Sequence, residues 1–217
     1  MTPIALAVGL AFAVLGAASE RLASVWPPDE AGGRPLSLRT ALYGLVTGLA
    51  GGAVVWRSTL PAWATAAYLV LLAPMVVLSA TDLEQRRLPH IVLDPLIVAA
   101  ILFVPFNPAV KPVDAAIGAA LAIGFLGLTG LLIRGGIALG DIYLVGPIGL
   151  ILGWPTIFTA VFVGALLSAV VGLGLLLTRR AGLRTYIPFG PFLVGGLVTA
   201  LLIDPSLLGS TAALILA

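Results

Sequence analysis

The chain has 217 residues, 60 % of them hydrophobic and only 9 % charged, with a mean hydropathy of +1.18. That leaves too little polar surface to clothe a soluble domain of this size, so the chain reads as an integral membrane protein. It has no cysteine and a single histidine, His90, which excludes disulfides, iron–sulfur clusters and zinc sites built on cysteines or on two histidines. The net charge of +2 comes from basic residues scattered along the chain, a pattern that sets membrane orientation and gives no sign of nucleic-acid binding.

Taken in order, apolar runs fall at 3–19, 40–56, 60–80, 91–105, 114–133, 141–153, 155–178 and 187–203. At about 27 residues per span and loop, they use the whole length as roughly eight helices in one membrane domain, residues 1–217. The fold expected is an all-α polytopic bundle; no run alternates with period two as a membrane β-strand would. The first run is not a secretory signal, because it lacks a basic start and Arg21 follows it. The first loop, 20–39, is short and holds a flexible Pro27-Pro28-Asp29-Glu30-Ala31-Gly32-Gly33 turn. The run at 141–153 is short for a span and crosses only if its helix begins near Gly135. The tail 206–217 suits the interface.

Of the eleven basic residues, Arg21, Arg34, Arg39, Arg86, Arg87, Arg134, Arg179, Arg180 and Arg184 lie in odd-numbered connections, and only Arg57 and Lys111 lie in even ones. The positive-inside rule then places the odd connections in the cytoplasm and the N-terminus outside. Small residues from Gly48 through Ala53 can pack helices within the chain or between chains, and the oligomeric state stays open.

A carboxylate at membrane depth costs about 2.5 to 3.5 kcal/mol, so each acid needs a reason. Glu20, Asp29 and Glu30 read as loop residues, Asp114 as a helix start and Asp204 as a helix end. Asp82 closes the run 60–80, where the helix dipole disfavours it; a pairing with Arg86 or Arg87 is its ordinary explanation. Asp141 opens a run and could be an N-cap. Two acids carried to one membrane face by separate helices also form the pair that general acid–base hydrolysis requires. A proton or cation path in a transporter or channel would use the same two acids. A rhomboid-like serine protease and a structural subunit of a secretion machine are further readings.

The segment Ala80-Thr81-Asp82-Leu83-Glu84 through Leu88-Pro89, followed by a helix containing Pro95, resembles the first aspartate motif of the type IV prepilin peptidases. Gly136-Ile137-Ala138-Leu139-Gly140-Asp141 resembles their Gly-x-Gly-Asp motif, and Ile187-Pro188-Phe189-Gly190-Pro191-Phe192 is similar to their last motif. The resemblance covers about residues 60–203. It implies a membrane-embedded aspartyl endopeptidase that cuts prepilin-like or pseudopilin-like precursors at the cytoplasmic face of the plasma membrane without metal or cofactor. Asp82 and Asp141 would be its catalytic pair. Gly140 would permit close approach beside the second acid, and Pro89, Pro188, Gly190 and Pro191 would shape the site, the last three as a broken helix or a helix start.

The sequence departs from that pattern at Ala138, where a glycine is usual, at Tyr143, where a lysine is common, and at His90 and Asp94. Long members of the family carry a Cys-x-x-Cys domain, associated with methylation, in the first cytoplasmic loop. The loop here has about twenty residues and no cysteine, so the resemblance implies peptidase and not methyltransferase activity.

Overall fold

A computed structural model describes residues 2–26, 35–133, 137–179, 182 and 187–209. Eight α-helices run through them: α1 (Pro3–Ala23), α2 (Leu38–Arg57), α3 (Ala62–Gln85), α4 (His90–Phe103), α5 (Pro112–Leu132), α6 (Leu139–Leu152), α7 (Ile157–Leu177) and α8 (Gly190–Ile203). A 3-10 turn at Val104–Phe106 extends α4, and no strand occurs among the described residues. Several helix ends rest on local chemistry. Thr2 accepts the amide of Ala5 at 3.3 Å to cap α1, and Pro112 opens α5 with a backbone angle already helical. Arg86, in the left-handed region at φ 56°, ends α3, and Gly153 at φ 67° ends α6.

Five helices, α1, α2, α3, α5 and α7, are long and apolar enough to cross a membrane. The other three have 14 residues each. At 1.5 Å per residue they reach about 21 Å, short of a hydrocarbon core of about 30 Å. The start expected for α6 near Gly135 is therefore corrected: α6 begins at Leu139, while Arg134, Gly135 and Gly136 lie outside the described residues. So do most of the first loop (27–34), Arg180, Arg184 and the end of the tail (210–217).

The core lies between α3, α4, α6 and α8, where Met75, Leu78, Leu93, Leu96, Leu144, Ile148, Leu193 and Leu197 are all buried. The outer helices turn large apolar side chains outward, among them Leu10, Val46, Leu131 and Phe162, as a lipid-facing surface requires. In lipid, helices associate through close contact rather than hydrophobic burial. The small-residue run beginning at Gly48 serves that end within the chain: a Cβ on Gly48 would stand 2.8 Å from the carbonyl oxygen of Gly9 on α1.

The first loop is shorter than its charge pattern suggests. Glu20 belongs to the last turn of α1 and is buried. The hydroxyl of Thr40 donates to it at 2.7 Å, and Arg39 lies 3.5 Å from it while also reaching Glu84 on α3 at 2.8 Å. A charge with such partners need not end a helix, so α1 runs on to Ala23.

Candidate active site

Asp82 sits in the last turn of α3 and is 3 % exposed. Its Oδ2 accepts a hydrogen bond from the backbone N–H of Gly190 at 2.9 Å, a partner 108 residues away. The first N–H groups of a helix have no intrahelical acceptor. Gly190 and Pro191 open α8, proline has no N–H, and so the donor at the very start of that helix is the one on Gly190. A Cβ at position 190 would lie 2.8 Å from Oδ2, so this contact needs glycine. Pro188 and Phe189 lead directly into it, and the stretch is an ordinary helix start, not a break within a helix.

Asp141 is the third residue of α6 and is 1 % exposed. The N-cap is Ala138, whose carbonyl accepts the amide of Asp141 at 3.1 Å, so the N-cap explanation for the acid does not hold. Beside it, a Cβ on Gly140 would stand 3.0 Å from Leu88 Cδ1. The bare backbone of α6 thus presses against the Leu88-Pro89 turn that follows α3, and this approach brings the second acid to the end of α3.

Both acids line one cavity of about 300 Å³, together with Arg86, Arg87, Leu88, Pro89, His90, Ala138 and Gly140. The starts of α4 and α6 and the end of α3 form its wall, and Gly190 of α8 holds Asp82 in place. A larger apolar groove of about 910 Å³ runs between α2, α3 and α8. Its lining includes Leu83 and Pro191, the chain neighbours of Asp82 and Gly190. Sequence reasoning missed this groove and the Glu20–Arg39–Glu84 contact beside it. A polar residue closing one apolar run and an arginine opening the next were the available signals.

The remaining acids are placed otherwise. Asp94 meets His90 Nδ1 at 2.9 Å, and Asp204 takes the hydroxyls of Thr156 and Ser206. Asp114 lies in the first turn of α5, where its carbonyl oxygen accepts the amide of Trp154 at 2.9 Å.

Fold and site together define a multi-pass helical membrane protein with two buried carboxyl groups in one cavity at the end of the bundle where α4, α6 and α8 begin. Residues 69–173, which include both acids, match the type IV leader peptidase family. Similar proteins include the "prepilin leader peptidase/N-methyltransferase" of Aeromonas hydrophila, 34 % identical over 167 residues, or 73 % of this chain and 56 % of the relative. Those of the same name from Bacillus subtilis (strain 168) and Pseudomonas aeruginosa are each 30 % identical, over 64 % and 71 % of this chain and 56 % and 55 % of the relative. The chain thus spans little more than half the length of the curated relatives it matches. No solved structure matches it. Neither the family nor the relatives' names support the transporter reading of the two acids.

Proposed function

We propose that this chain is a membrane-embedded aspartyl endopeptidase that removes leader peptides from type IV prepilin-like precursors at the cytoplasmic face of the plasma membrane, with Asp82 and Asp141 as the catalytic pair. The observation that carries the reading is the shared cavity: two buried carboxyl groups from different helices face one space of about 300 Å³ within a segment that matches the leader peptidase family. One carboxylate takes a proton from water, which attacks the scissile carbonyl. The other carboxyl group protonates the carbonyl oxygen and then the leaving amine, and the two exchange roles during turnover. The Gly190 N–H holds the Asp82 carboxylate in one orientation, which such proton transfers demand.

The apolar groove supports the substrate assignment. A precursor with a basic leader, a short polar junction and an apolar stalk would lay the stalk along α2, α3 and α8 and bring the junction to the acids where the groove passes Leu83 and Pro191. The nine basic residues of the odd connections support a cytoplasmic location for this end of the bundle. Methyl transfer, the second activity in the relatives' names, is not part of the proposal, since the cysteine motif tied to it has no counterpart in a chain without cysteine.

The test is a cleavage assay with purified protein in lipid and a precursor peptide of that design, read by mass spectrometry. A single cut between leader and stalk is expected; an intact peptide would refute the reading.

A further inference from the structure

Three side chains that depart from the family pattern form one cluster, and one of them, His90, lines the acid cavity. His90, the first residue of α4, lines the cavity. Its Nδ1 lies 2.9 Å from Oδ1 of Asp94, one helical turn on. Its ring meets the ring of Tyr143 edge to face, with centroids 5.6 Å apart and planes at 73°. Tyr143 stands on α6 two residues beyond Asp141, so the ring pair bridges the two helix starts that frame the cavity.

An extended peptide that reaches the acids must give up water at its backbone N–H and C=O groups and find replacements on the cavity wall. Among the lining side chains, Leu88, Pro89, Ala138 and Gly140 offer none, and Arg86 and Arg87 only donate. Asp82 and Asp141 are engaged in the proton transfers. A neutral imidazole whose Nδ1–H donates to Asp94 carries its lone pair on Nε2, and in that form His90 is a side-chain acceptor on this wall.

Building on the peptidase reading, we propose that His90 is a substrate-binding residue. Asp94 sets its tautomer, Tyr143 braces its ring, and Nε2 accepts a main-chain N–H of the peptide beside the bond that is cut.

Two measurements test this. In cleavage by the full chain, His90→Ala is expected to raise KM about three- to tenfold, the worth of one hydrogen bond, and to leave kcat within about twofold. His90→Gln, whose amide oxygen can accept in the same place, restores most of the loss. Separately, binding of the uncut, fluorescently labelled precursor peptide is measured on the Asp82→Asn/Asp141→Asn protein, where His90→Ala weakens Kd by the same factor. An unchanged KM and Kd, a fall confined to kcat, or no rescue by glutamine would overturn the assignment of His90 while leaving the peptidase reading intact. A wild-type protein that neither cuts nor, with both acids replaced, binds the peptide would overturn both.

Discussion

Asp82 and Asp204 each stand where an apolar helix ends, and by position alone they look alike. They sit at opposite ends of the bundle: Gly190, at the start of α8, holds Asp82, and Asp204 caps the other end of that helix. Asp204 is closed by its neighbourhood, its Oδ1 taking the amide and hydroxyl of Ser206 at 2.9 and 2.6 Å and its Oδ2 the hydroxyl of Thr156 at 2.8 Å. Asp82 takes its hydrogen bond from a helix start 108 residues away and faces a cavity that Asp141 shares. Position at a helix end therefore does not by itself distinguish the two acids. What separates them is whether hydrogen-bond donors engage both oxygens, as Ser206 and Thr156 do at Asp204, or leave the carboxyl group facing a shared cavity, as at Asp82.

The sharpest way to break this contrast is to neutralise the acids one at a time. Asp82→Asn or Asp141→Asn is expected to lower cleavage at least about 1000-fold while the protein still inserts, since asparagine keeps the volume and cannot cycle a proton. Asp204→Asn is expected to stay within about twofold of wild type. A well-inserted Asp82→Asn protein that cuts at the normal rate would remove the difference between the two ends.

The sides of the membrane come next. In this cysteine-free chain, Arg57→Cys is expected to react with an impermeant thiol reagent in intact cells, and Arg86→Cys only after permeabilisation. The reverse pattern would place the acid end outside.

Gly190→Ala probes how the Asp82 carboxylate is held. The added methyl group would lie 2.8 Å from Oδ2 and push the carboxylate out of line, so a fall in kcat of about 100-fold is expected with little change in the amount of folded protein. Activity near wild type would show that the hydrogen bond does not orient the acid.

The smallest effect belongs to the stability of the Asp204 end. Burial on its own would raise the pKa of this carboxyl group, but the hydrogen bonds from Ser206 and Thr156 outweigh it and hold the pKa below the usual carboxylate value. A group whose pKa falls on folding binds its proton more weakly in the native state. Its contribution is thus full above the unfolded pKa of about 3.9 and is lost as pH falls through the lower folded value. Asp204→Asn should lower the thermal midpoint by about 2 °C near neutral pH and by less in acid, measured by thermal unfolding in detergent. An equal loss at both pH values would mean that the charge contributes nothing.

The elements that were legible in advance were those governed by neighbours in the chain. All eight helices follow the apolar runs, because length and composition decide whether a segment suits lipid and Pro112, Gly153 and Arg86 stop or start helices locally. Errors arose where a charged residue met a partner from elsewhere. Glu20 looked like a loop residue because a charge after an apolar run ordinarily marks its end, yet Arg39 and Thr40 let it stay in the helix. Asp141 looked like an N-cap because it precedes an apolar run, yet α6 begins two residues earlier.

The sequence by itself determined the membrane class, the number and order of the helices, and which two acids stood out from the rest, because hydropathy, helix breaking and the cost of a charge in lipid are properties of single residues and short segments. Only the tertiary structure decided that Asp82 and Asp141 line the same cavity, that Gly190 supplies the hydrogen bond to the first acid, and that His90, which lines that cavity, forms one cluster with Asp94 and Tyr143. The reason is the range of the interactions: these contacts join helices far apart in the chain, and they depend on close approaches at Gly140 and Gly190, where a single added carbon would collide with a side chain from another part of the sequence.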